Sequence, residues 1–201
     1  MIKNVVFDCG QVLIHFDPKY MVERYVTDPA DSALLQEVVF DRLYWSKLDL
    51  GTITDEEVVA AACARVPERL HGAVSDIYYH WIYNIPEREG MRELTRRLKA
   101  DGVKLCLLSD ISKYFIAHRD EITILDVFDT CVFSADYGLV KPHREAFENL
   151  CRVCELDPSE TVFVDDNPIN VKGAEDFGIR AYLFDGDAVR LTAYLYDLLA
   201  E

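Results

Sequence analysis

The stretch Val5-Val6-Phe7-Asp8-Cys9-Gly10 decides how this chain is read. Three consecutive apolar residues run into an aspartate and then a glycine turn. A short run that is apolar at every position has no face to offer to water, so it reads as a strand buried on both faces. The same design recurs four times. Val103-Lys104-Leu105-Cys106-Leu107-Leu108 ends at Ser109-Asp110, and Thr130-Cys131-Val132-Phe133 ends at Ser134. Thr161-Val162-Phe163-Val164 ends at Asp165-Asp166-Asn167, and Ile179-Arg180-Ala181-Tyr182-Leu183-Phe184 ends at Asp185-Gly186.

Helical patterns lie between these runs. Glu87 to Ala100 carries Met91, Leu94 and Leu98 at helical spacing before Asp101-Gly102 stops it. Residues 143–155 place Ala146, Phe147, Leu150, Val153 and Cys154 on one stripe, residues 168–177 form a short helix closed by Gly178, and a last helix runs from Ala188 to Leu199. Strands alternating with helices predict an α/β fold, a parallel sheet covered on both faces. One block breaks the alternation. Between the first strand and the helix before Val103, the segments Tyr20–Val26, Ser32–Phe40, Asp55–Arg65 and Gly72–Tyr83 all read as helices, and Thr54-Asp55-Glu56-Glu57 reads as a capping box. So long a block inside a first crossover is an inserted helical subdomain rather than a loop. The expected division is a core of residues 1–14 and 85–201 and a helical cap of residues 15–84.

Composition narrows the class of partner. The chain has 201 residues, with 21 Lys plus Arg against 36 Asp plus Glu, a formal charge of −15. An excess of this size repels nucleic acid and anionic membrane surfaces, but it does not exclude an anionic small molecule, because a site sets its own local field. The opening residues form no signal peptide or membrane span. Six scattered cysteines read as free thiols of a reducing compartment, and the lone pair Cys151 and Cys154 reads as helix packing, with no second ligand pair to make a zinc site. A cytoplasmic protein, a monomer or weak homodimer, is expected.

In open parallel sheets, ligands bind beyond the carboxyl ends of the strands. The polar residues there are Asp8, Ser109-Asp110, Asp165-Asp166 and, after a loop, Lys141. Any one is explained as a helix cap or a solvated loop residue. The set is not, since it supplies a nucleophilic carboxylate, a hydroxyl, a lysine and a second carboxylate pair.

These residues fall in segments that resemble the haloacid dehalogenase superfamily. Phe7-Asp8-Cys9-Gly10-Gln11-Val12-Leu13 resembles its first motif, Leu107-Leu108-Ser109-Asp110 its second, Gly138-Leu139-Val140-Lys141-Pro142 its third, and Phe163-Val164-Asp165-Asp166-Asn167-Pro168-Ile169-Asn170 its fourth. The order is the family's, and the insertion is similar to its small helical cap. The Asp-x-Gly-x-Val start and the Asp-Asp-Asn segment are most similar to the sugar-1-phosphate branch typified by alpha-D-glucose-1-phosphatase. The resemblance implies a Rossmann-like core and a Mg²⁺-dependent phosphatase acting on a small phosphorylated metabolite. In it Asp8 attacks phosphorus, and Asp8, the Gly10 carbonyl and Asp166 hold the metal, with Asp165 as an additional or outer ligand. Ser109 donates to a phosphoryl oxygen, Lys141 neutralises charge, Asn170 meets a metal-bound water, and Asp110 either orients Ser109 or caps the helix near Ser112.

One departure matters. Most phosphatases of that superfamily place a second aspartate, the acid and base of the reaction, where this chain has Gly10. Three explanations compete: the branch omits it by design, the leaving group needs little protonation, or a cap-side residue such as His15 or Asp17 stands in; His15 is also a candidate substrate contact. The aromatic residues Tyr44, Trp45, Tyr79, Trp81 and Tyr83 are expected mostly to pack the cap. Two other readings remain open at this stage: a metal-independent 2-haloacid dehalogenase, against which the adjacent carboxylates Asp165 and Asp166 argue, and an inactive phosphate-binding module.

Overall fold

A computed structural model describes residues 1–200. The chain runs β1 (Asn4–Phe7), α1 (Pro18–Glu23), α2 (Pro29–Val39), α3 (Arg42–Asp49), α4 (Asp55–Cys63), α5 (His71–His80), α6 (Met91–Ala100), β2 (Lys104–Ser109), α7 (Lys113–Ala117), β3 (Thr130–Phe133), α8 (Ser134–Tyr137), α9 (Arg144–Cys154), β4 (Thr161–Asp165), α10 (Pro168–Phe177), β5 (Arg180–Leu183) and α11 (Ala188–Leu199), with single 3₁₀ turns between some of them. The five strands form one parallel sheet in the order β3-β2-β1-β4-β5. The chain walks outward from β1 to β3, then jumps back to the other side of β1. The strand order reverses at β1, which is where Asp8 emerges.

The pleat of β1 shows why its apolar run is continuous. Val5 and Phe7 point into one layer with Met91, Leu94 and Leu98 of α6 and Leu191 and Leu195 of α11. Val6 points into the opposite layer with Phe147, Leu150 and Cys154 of α9 and Ala174 of α10. Both faces are dry from Val5 to Phe7, and the buried polar residue that opens the strand, Asn4, donates its side-chain amide to Thr161 Oγ1 at 3.2 Å. The fifth run differs: β5 is an edge strand, and its residues are partly or fully exposed.

Helices α1–α5 fill the first crossover. Their centre is aromatic, with Phe16 meeting Phe40, Trp45 and Trp81 at centroid distances of 5.8, 5.4 and 5.3 Å. Trp81 then stacks on Phe115 of α7 at 5.8 Å, which ties the inserted helices to the sheet layer. Trp45 and Trp81 are both buried, and the Trp45 indole donates to the Val39 carbonyl. The chain enters and leaves the insertion side by side. His15 N–H donates to Pro86 O at 2.8 Å, Arg88 N–H to Leu13 O at 2.9 Å, and Ile14 bridges Glu87 in antiparallel fashion.

Several boundaries move from the expected ones. The helix expected from Glu87 begins only at Met91, because Gly90 just before it takes a left-handed φ of 80°. The helix α3 was not foreseen in the sequence. Its signals are present: Asp41 caps it through Leu43 N–H at 2.9 Å, and Trp45 and Leu48, three apart, are its buried face. The Thr54 capping box forms as expected, with both reciprocal bonds present. All six cysteines are free thiols, and Cys154 packs into the α9 layer. No helix among the described residues is long and apolar enough to cross a membrane.

Candidate active site

The functional side chains sit at one end of the sheet because three neighbouring strands end there together. β1 and β4 pair Phe7 with Val164, so the next residues, Asp8 and Asp165, leave the sheet side by side. On the other flank β1 pairs Phe7 with Leu107, which sets Ser109 just beyond Asp8. The Asp8 N–H still donates to Val164 O at 2.9 Å, so the ladder holds the aspartate up to its own Cα.

Lys141 locks this cluster. Its ammonium donates to Asp8 Oδ1 at 2.7 Å, to Asp165 Oδ2 at 2.8 Å and to Leu108 O at 3.2 Å. The side chains of Lys141, Asp8 and Asp165 are 2%, 13% and 1% exposed, so this is a buried triad of one cation and two anions. Asp165 is fully engaged. Its Oδ2 also accepts from Asn170 Nδ2, and its Oδ1 accepts from Asn167 N–H at 2.8 Å. Asn170, one turn into α10, therefore places its amide on Asp165. Asp110 neither orients Ser109 nor caps α7: its Oδ1 accepts from Lys141 N–H at 3.2 Å, while Ser112 caps α7 with its own hydroxyl. Asp110 thus fixes the backbone of the lysine. Ser109 is a buried residue beside the cluster, and its hydroxyl makes no hydrogen bond among the described residues.

A second device brings Lys141 in. A Cβ on Gly173 of α10 would lie 2.6 Å from Pro142 O and 2.8 Å from Pro142 Cβ. Only glycine lets α10 approach this loop so closely. Pro142 itself does not open α9, which starts at Arg144. At Gly10, by contrast, a Cβ would meet only Phe16 Cβ at 3.8 Å, an ordinary contact within the protein.

The electrostatics follow from burial. Burial raises the Asp8 carboxyl to about 7; Lys141 opposes this and Asp165 adds to it. Burial works against the Lys141 ammonium, but Asp8, Asp165 and Asp110 together hold it above its ordinary value. Asp166 sits at the solvent edge, raised by partial desolvation and by Asp165. The cluster holds more negative charge than its single lysine neutralises.

That surplus bears on a metal. Oxygens of Asp8, Asp165 and Asp166 all lie within 4.8 Å of one another. Three carboxylates with no soft donor suit a hard divalent cation such as Mg²⁺. The donor set fits, with Asp8 and Asp166 free to ligate directly and Asp165 occupied by its own hydrogen bonds.

Two expected participants have partners other than the triad of Asp8, Lys141 and Asp165. The charges acting on the His15 ring are Arg88 and Asp17, and burial and Arg88 hold its pKa below the ordinary histidine value. Asp17 caps α1 through Lys19 N–H. Sequence reasoning overlooked two other groups. Arg88 donates to Gln11 Oε1 at 2.6 Å, leaves its buried Nε without a partner among the described residues, and weakly opposes the rise of the Asp166 pKa. Asp49, at the end of α3, feels both Asp110 and Lys141.

Comparison with known proteins agrees with this geometry. A profile described as haloacid dehalogenase-like hydrolase matches residues 2–178. A sesquiterpene phosphatase of Aspergillus oryzae is 25% identical over 179 residues, 88% of this chain and 87% of its own. A drimenol cyclase of Aspergillus calidoustus is 24% identical over 92% of this chain, which spans only 34% of that enzyme's length. Among solved structures, a HAD-like family hydrolase of Porphyromonas gingivalis is 25% identical and superposes with a TM-score of 0.75, covering 100% of this chain and 99% of its own. A HAD family enzyme of Bacteroides thetaiotaomicron, in complex with magnesium and inorganic phosphate, is 23% identical with a TM-score of 0.72, covering 95% and 99%. With most of its length matched by the family profile and its strand-tip acids gathered as described, the chain belongs to the haloacid dehalogenase-like hydrolases.

Proposed function

We propose that this chain is a Mg²⁺-dependent phosphomonoesterase that works through an aspartyl phosphate on Asp8. One observation carries the reading: a buried aspartate, a buried lysine and a second carboxylate pair meet at the point where the strand order reverses. Asp8 attacks phosphorus and is later released by water, which splits one hard displacement into two easier ones. Lys141 and the unpartnered Ser109 hydroxyl take phosphoryl oxygens, where charge builds in the transition state. Asp8, Asp166 and the Gly10 carbonyl would hold Mg²⁺, which would supply the neutralisation an anionic nucleophile needs against a phosphate dianion. Asp165 is an outer partner in this scheme, because its oxygens already hold Lys141, Asn167 and Asn170.

The proposed division of labour gives the chemistry to residues 1–14 and 85–201 and substrate choice to the cap, 15–84. The substrate is a small phosphorylated metabolite. A sugar phosphate is supported by the motif resemblance, and an isoprenoid phosphate by similarity to the Aspergillus oryzae phosphatase. The test is a screen of sugar, isoprenoid, acyl and aryl phosphates with and without Mg²⁺, with Asp8→Asn as control. Metal-dependent turnover that drops roughly 10⁴-fold or more in Asp8→Asn is expected. Undiminished turnover in that variant would remove Asp8 as the nucleophile, and metal-independent turnover of a 2-haloacid would assign the dehalogenase chemistry instead.

A further inference from the structure

The core as described has no proton donor for the leaving group. Position 10 is glycine, His15 lies at the hinge beside Arg88, and Asp17 is spent on a helix cap. A leaving group that needs a proton requires a donor from elsewhere. We propose that Asp49, the last residue of cap helix α3, is the general acid and base of the reaction; this rests on the phosphatase reading above.

Placement is the first argument. The residues just after Asp49 lie directly on the core. A Cβ on Gly51 would come 3.0 Å from Ala135 O, and one on Gly138 would come 3.7 Å from Leu50 O. Ala135 and Gly138 belong to the segment that leads from β3 to Lys141, so the end of α3 is seated at the rim of the cluster. Gly51 turns the chain there with a left-handed φ of 67°. The charges facing Asp49 are the second argument. Arg42 comes from its own helix, and Asp110 and Lys141 come from the strand tips. Lys113 of α7 lies alongside, its Cε 3.7 Å from the Gly51 Cβ position. The third argument is idleness. Asp49 is half-buried, yet it makes no hydrogen bond or ion pair among the described residues, unlike Asp8, Asp110 and Asp165. Burial and Asp110 push its carboxyl to about 7, against Arg42 and Lys141, which suits a group that must both give and take a proton near neutrality.

The proton accounting closes. As Asp8 bonds to phosphorus and the bond from phosphorus to the ester oxygen breaks, neutral Asp49 gives its proton to that oxygen, releasing an alcohol and leaving Asp49 ionised. As water bonds to phosphorus and the bond from phosphorus to Asp8 breaks, Asp49 takes the proton from water. Inorganic phosphate leaves, and both aspartates are restored.

The test compares an alkyl phosphate, whose leaving group needs protonation, with 4-nitrophenyl phosphate, whose leaving group hardly does. Asp49→Asn should lower kcat/KM for the alkyl ester by on the order of 10²–10⁴-fold, and for the aryl ester by less than about tenfold. Asp49→Glu should recover part of the loss. In the wild-type protein, kcat/KM for the alkyl ester should fall above neutral pH while that for the aryl ester does not, a readout that needs no variant. Equal losses for the two esters, or identical pH profiles in the wild type, would overturn the assignment to Asp49 while leaving the phosphatase reading intact. A wild-type chain that hydrolyses neither ester, with or without Mg²⁺, would overturn both.

Discussion

The strand-tip cluster and the cap surface above it treat their polar groups in opposite ways. At the strand tips, Asp8, Asp165, Asn170, Asp110 and Lys141 hold one another through hydrogen bonds, and the lysine ammonium is almost wholly buried between two carboxylates. In the cap, the aromatic residues pack among themselves, and one acid, Asp49, faces the cluster with no hydrogen-bond or ion-pair partner among the described residues. The first arrangement is preorganised, since its groups cannot move without breaking several bonds. The second is poised, since its acid has no competing partner. Preorganisation suits groups that stabilise charge, and an uncommitted acid suits a group that must exchange a proton.

This contrast can be broken at its strongest point. Lys141→Met leaves Asp8 and Asp165 as uncompensated buried carboxylates. It should cost about 3–5 kcal/mol of stability, read by denaturant unfolding, together with roughly 10²–10³-fold or more in turnover. A variant as stable as the parent would mean that the two acids were not held charged by the lysine. A smaller effect tests the outer member of the cluster. Asp166→Ala should weaken metal affinity and activity by about 10–100-fold, with part of the activity returning at high Mg²⁺; no response to added metal would give Asp166 another role. Asp165→Asn is the sharper contrast, because it also breaks the hold on Lys141.

The smallest effect concerns the cap acid. Asp49 binds its proton more tightly in the folded chain, at about 7, than an unfolded aspartate does at 3.8. Its contribution to stability is fully present below the unfolded value and is lost as pH rises through the folded one. The thermal midpoint of metal-free protein should therefore decline between about pH 4 and pH 7. Asp8 acts in the same window and direction, so the diagnostic is the difference: Asp49→Asn should flatten the decline without abolishing it. An unchanged slope in that variant would show that Asp49 titrates as an ordinary surface carboxylate.

The parts of this molecule that were readable in advance are those governed by local rules. The continuous apolar runs of β1 and β4 required burial on both faces, and their ending in aspartates placed Asp8 and Asp165 where ligands bind in such sheets. The Thr54 capping box and the helix Ala188–Leu199 depended only on near neighbours in the chain. The weaker readings had non-local causes. From the sequence Asp110 reads equally as a partner of Ser109 or as a cap of the next helix, both local roles, and its actual partner is the backbone of Lys141, 31 residues on. α3 is hard to read in advance because its Asp41 cap is followed by only two buried anchors, Trp45 and Leu48, whose partners lie elsewhere in the cap.

The sequence by itself determined the alternation of strands and helices, the inserted cap and the identities of the acids at the strand ends, because periodicity and chain order are written residue by residue. Only the tertiary structure decided which acids share the lysine, which oxygens stay free and which cap residue overlooks the cluster. Those outcomes depend on strand order and on close approaches such as Gly173 against Pro142, where distance along the chain carries no information about distance in space.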